Sequence, residues 1–274
     1  MSIGPVENHR RREEGVIVYP VYSRRSGGLS VGINLFPNSK VCSFDCPYCE
    51  VFPFETDKSF SLALMEEGLI KALNEAKEQG IPVRDLCFSG NGESTLSPYL
   101  FDAIGLAFRI RDKYAPEAEL VLISNGTGLL NREIFDFLTQ AAGGESGLRI
   151  WLKLDAGSPE WYKAMNRSAI PYESLMDRIK AFAKGAPVIL QTMICIVNGE
   201  APSPVEAKAW EALVKEIVLS APSLRALQIY GKARPAPEDP LALALPAEFL
   251  EARADSIRSV LASMGKEIPV GVFP

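Results

Sequence analysis

The sequence predicts an α/β fold of parallel strands, and three observations carry that prediction. After residue 30 the apolar pattern switches repeatedly between a period of two and a period of about 3.6. Six short runs rich in β-branched residues alternate with longer stretches whose apolar residues recur at spacings of three and four. The composition, 47% hydrophobic and 23% charged over 274 residues, is that of a globular chain long enough to bury a sizeable core.

The elements follow in order. Residues 31–36 form the expected first strand and 60–79 the first helix, stopped by Gly80 and Pro82. Residues 85–89 and 98–113 come next, with Ser97 as N-cap and Pro98 at the first helical position. Residues 120–124 and 132–140 make the third unit, and 148–154 with 159–165 and 172–184 the fourth. Ser158-Pro159 repeats the cap signature. Gly185 and Pro187 end that helix before the strand at 188–197, which is followed by a helix at 205–219. The sixth strand, 224–230, precedes a Pro- and Ala-rich loop at 233–246 and a last helix at 247–264. Repeated strand–helix–strand units imply parallel strands joined by right-handed crossovers. Six units are too few for a closed eightfold barrel, so a partial barrel or an open doubly wound sheet is expected. In both, chemistry sits at the C-terminal strand ends. Residues 1–22 are expected to be an N-terminal extension, and 23–274 a single domain.

Composition also excludes function classes. No apolar run reaches the roughly 18 to 20 residues of a membrane span, and no secretory h-region follows the polar N-terminus. A cytoplasmic protein without a membrane partner is expected. The net charge of −5 disfavours a polyanion as the partner of the whole surface. The one histidine, His9, lies in a polar tail beside Arg10-Arg11-Arg12, so Ser-His-Asp chemistry and histidine-rich metal sites are disfavoured.

The five cysteines point to a centre. Cys42, Cys46 and Cys49 fall in Lys40-Val41-Cys42-Ser43-Phe44-Asp45-Cys46-Pro47-Tyr48-Cys49-Glu50, a C-x3-C-x2-C spacing directly after the first strand. Three thiolates on one short loop can take three corners of an iron–sulfur cube and leave the fourth without a local ligand. Structural zinc wants four ligands, and so does an ordinary electron-carrying [4Fe–4S] site. Cys87 and Cys195 stand alone in strands and read as buried apolar thiols. A non-catalytic Fe–S electron carrier or a zinc-binding module is the alternative reading.

C-x3-C-x2-C with an aromatic, Tyr48, before the last cysteine resembles the signature of the radical S-adenosylmethionine (SAM) superfamily. The resemblance runs from about Ser23 to Pro235 and implies a partial (β/α)6 barrel with the cysteine loop at its C-terminal mouth. It implies a [4Fe–4S] cluster on Cys42, Cys46 and Cys49, with SAM on the open iron. The reduced cluster then cleaves SAM to methionine and a 5′-deoxyadenosyl radical, which abstracts hydrogen from a substrate. An external electron donor of the flavodoxin or ferredoxin type is implied as well. After the second strand, Gly90-Asn91-Gly92-Glu93 resembles the family's Gly-Gly-Glu turn that holds the SAM ammonium. Here Asn91 splits the glycines. Glycine allows close backbone approach and positive φ.

Other strand ends complete the expected site. Ser124 and Asn125 close the third strand, Lys153 and Asp155 the fourth, Gln191 lies in the fifth and Tyr230 in the sixth. Tyr48, Ser124, Asn125, Asp155 and Gln191 are expected cofactor contacts, and Lys153 and Tyr230 catalytic ones. A lysine among Trp151, Leu152 and Leu154 is costly to bury unpaired, so Asp155 or Glu93 is its expected partner. The fifth-strand glycine motif of the superfamily is not evident. The segments 23–34 and 228–235 resemble stand-alone Fe–S oxidoreductases related to wyosine-tRNA synthases. Their Arg24, Arg25 and Arg234 are candidates to grip an anionic group, so the expected substrate is a small anionic metabolite or an RNA.

Overall fold

The structure, a computed structural model, describes residues 15–144, 147–234, 236 and 239–274. His9, the Arg10-Arg11-Arg12 run and Pro235 lie outside the described residues. Among the described residues the fold is mixed α/β with mostly parallel strands, consistent with a partial barrel. The chain groups into two compact units. One comprises the chain up to Cys42 with 51–123 and 144–149; the other comprises 43–50, 124–143 and 150–274.

The first unit opens with a feature the periodicity did not mark. Strands β1 (Val18–Ser23) and β2 (Gly28–Ile33) pair antiparallel, Val18 opposite Ile33 and Ser23 opposite Gly28. Gly27, at φ 69°, turns the chain, and its N–H donates to the Ser23 carbonyl at 2.9 Å. A left-handed turn position suits glycine, which has no Cβ to clash. Residues expected in an N-terminal extension are thus a strand, and the first barrel strand lies three residues earlier than 31–36. β2 then pairs parallel with β3 (Val83–Phe88), and β3 with β4 (Glu119–Ser124). Helix α1 (Leu62–Glu78) turns Met65, Leu69, Leu73 and Ala76 inward at helical spacing, with Ser61 accepting the Leu64 N–H at its start. Helix α2 (Leu100–Tyr114) begins later than Ser97-Pro98 suggests. Ser97 Oγ accepts the Tyr99 N–H instead, because a 3-10 turn at Ser94–Leu96 occupies the preceding residues.

The second unit holds α3 (Arg132–Ala141), β5 (Arg149–Lys153), α4 (Pro159–Met165), α5 (Tyr172–Gly185), β6 (Val188–Ile194), α6 (Pro204–Ser220), β7 (Ala226–Gly231), α7 (Ala247–Ser263) and β8 (Val270–Phe273). Ser158 caps α4 as expected, accepting the Trp161 N–H, with Pro159 next. From β5 to β8 the strands pair parallel in chain order, and one row across them reads Lys153, Gln191, Gln228, Gly271. In a parallel sheet such a row shares a face. β8 is the second strand beyond the expected six; four residues after a long helix are too short to show a period. The expected 233–246 loop is pinned at Leu243, which bridges Ile196, and at Asp239, which accepts from Arg167 at 2.6 Å.

Candidate active site

The first unit builds the turn before the cysteine loop. Val41, one residue ahead of Cys42, forms a parallel bridge with Gly92. Its N–H donates to the Asn91 carbonyl at 3.1 Å, and its carbonyl accepts the Glu93 N–H at 2.8 Å. Only glycine fits there: a Cβ on Gly92 would lie 1.8 Å from the Val41 oxygen. Asn34 Oδ1 accepts the N–H groups of Phe36 and Asn91, at 3.1 and 3.2 Å, and Asn91 Nδ2 donates back to the Phe36 carbonyl. Glu93 is buried, and one of its oxygens accepts the Thr95 N–H and hydroxyl. The glycine turn is therefore stitched to the segment that leads into Cys42.

The second unit holds the rest of that loop. Asn125 Nδ2 donates to Ser43 Oγ at 3.1 Å, Ser43 also bonds Thr127, and Ser168 Oγ donates to the Ser43 carbonyl. Ser124 Oγ accepts the Gly126 N–H at 3.0 Å. Both predicted residues at the end of β4 thus shape the turn that grips the loop. The Asp45 N–H donates to the Asn166 carbonyl, and the Cys49 N–H to the Cys46 carbonyl, each at 3.0 Å.

Behind the loop, four of the predicted side chains converge. Lys153 Nζ donates to Tyr48 Oη at 2.9 Å and Tyr230 Oη at 2.8 Å, and lies 3.6 Å from Asp155. Its ammonium also faces both phenol rings, 4.8 and 5.5 Å from their centroids. Asp155 has no exposed side-chain surface. It accepts from Tyr48 Oη at 2.5 Å, from Asn166 Nδ2 at 3.1 Å and from the Met193 N–H at 2.9 Å. Burial acts to lower the Lys153 pKa, but the Asp155 carboxylate and Tyr230 outweigh it and hold the lysine protonated above its ordinary range. Burial, then Asp155, pushes the Tyr48 phenol well up. The ion pair expected of Lys153 is the one with Asp155.

The remaining predicted residues are placed as follows. Gln191 is fully buried, donates to Gln228 Oε1 at 2.6 Å and keeps its own Oε1 without a hydrogen-bond partner. Arg234 is ion-paired with Glu50, the residue after Cys49, which occupies one of the guanidiniums expected to grip an anion. Cys87 and Cys195 are buried. Cys195 packs among Tyr48, Met193 and Tyr230, with Cys46 against the same cluster. Asn166, which reaches both Asp155 and Cys46, was not marked by the sequence. Its only local signal is a place one residue past a predicted helix.

The donor set suits an iron–sulfur cluster. Cys42, Cys46 and Cys49 are in no disulfide and are at least partly open to solvent. Burial pushes the Cys46 thiol up to about 12, with the Lys153 charge opposing it. Asn166 Nδ2 points at Cys46 Sγ from 3.7 Å, the kind of N–H···S contact that iron-bound thiolates accept. Among the described residues no three His, Cys, Asp or Glu side chains already stand close enough to hold a metal ion. As metal ligands the thiols would release their protons on binding.

Comparison with known proteins agrees with this construction. Residues 39–209 match the family described as the Radical SAM superfamily. A UPF0026 protein of Helicobacter pylori is 36% identical over 95 residues, 34% of this chain and 30% of that protein. The chain thus matches under a third of that relative's length. A radical SAM methyltransferase from Sphaerobacter thermophilus shares the fold at a TM-score of 0.63 and 13% identity, over 93% of this chain and 69% of that one. Streptococcus suis SuiB bound to its precursor peptide SuiA also gives 0.63, at 10% identity, over 91% and 50%. The matched residues begin ahead of the cysteine loop, take in the glycine turn, Lys153, Asp155 and Gln191, and cover more than half of the sequence: the chain belongs to the radical SAM superfamily.

Proposed function

We propose that this enzyme cleaves SAM reductively at a [4Fe–4S] cluster ligated by Cys42, Cys46 and Cys49, and uses the resulting radical to abstract hydrogen from its substrate. When bound, the reduced cluster supplies the electron that splits SAM into methionine and a 5′-deoxyadenosyl radical. The observation that carries the reading is the bridge between Val41 and Gly92. It joins the turn proposed to hold SAM to the residue that leads into Cys42, so the positions of the two are set by the same backbone bonds.

The chain's own residues divide the work. Gly90, Asn91, Gly92 and Glu93 hold the methionine end of SAM, the glycines by close approach and Glu93 by its charge. Ser124 and Asn125 keep the cysteine loop in place through Ser43. Lys153 stays protonated and, with Tyr48 and Tyr230, fixes a positive charge beside the reacting centre. Gln191 offers a buried acceptor to an N–H of SAM or substrate. A flavodoxin- or ferredoxin-type protein supplies the electron.

The substrate class is a small anionic metabolite or an RNA, read from the arginines of the flanking segments, of which Arg234 is ion-paired with Glu50. The affiliation with enzymes related to wyosine-tRNA synthases rests on those segments of the sequence alone. Among the described residues no helix is long and apolar enough to cross a membrane.

The test is anaerobic reconstitution of the whole chain. It should bind about four irons, the content of one cubane cluster, and with dithionite convert SAM to 5′-deoxyadenosine. Deuterium transfer into 5′-deoxyadenosine from labelled small-molecule and RNA fractions, run separately, identifies the substrate pool. An iron-loaded, reduced protein that leaves SAM intact with every fraction would end the proposal.

A further inference from the structure

The polar residues behind the cysteine loop form one connected chain, and it ends on a sulfur. Asn166 caps the C-terminal end of α4, its N–H donating to the Tyr162 carbonyl at 2.8 Å. It is 2% exposed. A buried primary amide must place two N–H groups and one carbonyl oxygen. Here the choice of which end faces inward is forced. Asp155 takes only donors, from Tyr48 and from the Met193 N–H, with the Lys153 ammonium 3.6 Å away, so the amide must present its nitrogen to Asp155 Oδ2. The other hydrogen of that nitrogen then points at Cys46 Sγ, 3.7 Å away. The Asn166 backbone carbonyl meanwhile accepts the N–H of Asp45, the residue before Cys46. Side chain and backbone of Asn166 thus both grip the approach to this one cysteine.

An N–H aimed at an iron-bound thiolate draws charge off the sulfur. It stabilises the reduced cluster over the oxidised one and raises its potential. We propose that Asn166 is a positioning residue that sets the reduction potential of the cluster by donating its side-chain N–H to the sulfur of Cys46. The inference rests on Cys46 being an iron ligand. Through Asp155 and Tyr48 the same amide is connected to Lys153 and Tyr230, so the charge behind the loop acts on one ligand and helps decide which electron donor can reduce the cluster.

The test is a potentiometric EPR titration of the anaerobically reconstituted full chain, without SAM. Asn166→Leu keeps the volume and removes the donor; Asn166→Asp shares a proton with the Asp155 carboxylate and leaves an oxygen, not an N–H, facing Cys46. Both backbone bonds of Asn166 survive in each variant. Both should keep their iron. At the wild-type midpoint the ratio of reduced to oxidised cluster should fall about tenfold in each variant, which is 59 mV for a one-electron couple. A merely structural role would change iron content or melting temperature and leave the potential alone. A second measurement needs no variant: wild-type protein labelled with 15N only in asparagine side chains should show a 15N coupling to the reduced cluster in pulsed EPR. Iron-loaded variants whose potentials match the wild type, or a labelled wild type without that coupling, overturn the proposal while Cys46 keeps its role as ligand. A Cys46→Ala variant that retains its full iron content overturns both.

Discussion

Gly92→Ala tests the joint between the glycine turn and the cysteine loop. Gly92 sits at φ 156°, and an added Cβ would lie 1.8, 2.6 and 3.0 Å from the oxygen, carbon and nitrogen of Val41. These are backbone atoms, so no rotamer change relieves the clash. The two segments must part, which breaks the bonds from Glu93 N–H to the Val41 carbonyl and from Val41 N–H to the Asn91 carbonyl. Each bond contributes about 1 kcal/mol net. Forcing an L residue into this backbone region costs a further 1 to 3 kcal/mol or so. The expected loss is roughly 3–5 kcal/mol, or about 5–9 °C in melting temperature for a protein of this size. Gly80→Ala is the control. Gly80 has φ 65° but nothing within 4 Å of a built Cβ, so only the left-handed backbone penalty of about 1 kcal/mol remains. Both variants would be measured metal-free, by urea denaturation followed with circular dichroism, so cofactor loss cannot contribute. Hydrogen exchange at the Glu93 amide should accelerate in Gly92→Ala alone. If Gly92→Ala is no less stable than Gly80→Ala, or if the Glu93 amide stays protected, the bridge does not hold the loop and the argument fails.

Other predictions follow from the same geometry. Replacing any one of Cys42, Cys46 or Cys49 by alanine should remove most of the iron from anaerobically reconstituted protein, whereas Cys87→Ala and Cys195→Ala should retain it by chemical iron assay. Lys153→Met leaves the Asp155 carboxylate buried without its cation and should destabilise the protein by roughly 3 kcal/mol in urea titration. The folded-state pKa of Lys153 lies above its ordinary value of 10.5, so its contribution is fully present below about pH 10 and is lost only as pH rises through the folded value. The stability gap between wild type and Lys153→Met should therefore stay constant from about pH 6 to 9. Glu206 accepts the Gly157 N–H at 2.6 Å and the Ser158 hydroxyl at the start of α4. Glu206→Ala should cost about 2 kcal/mol, since both donors then lack an acceptor. Reconstituted protein should be brown without oxygen and bleach in air, followed by its visible absorbance, because a cluster with one iron open to solvent is exposed to oxidants.

The cysteine spacing, the alternation of elements and the Gly90–Glu93 turn were legible from residue order because each is local. Thiolates on one loop, an apolar period and a backbone approach that needs glycine are written in neighbouring positions. Among the described residues the six interior strands and the seven α-helices follow from the same short-range periodicity. β1 and β8 were not legible. β1 carries Pro20 and alternates weakly, and β8 is four residues long, so their pairing with β2 and β7 makes them strands rather than their own pattern. The site divides in the same way. Sequence placed Lys153, Asp155, Tyr48 and Tyr230 at strand and loop ends as separate polar groups. Only the tertiary structure joins them, because hydrogen bonds at about 3 Å between residues over a hundred positions apart depend on which side chains the sheet turns to one face. Asn166 shows the limit most plainly. Its residue type is unremarkable at a helix end, and its proposed role arises wholly from Asp155, which leaves the amide no choice but to face Cys46 with an N–H.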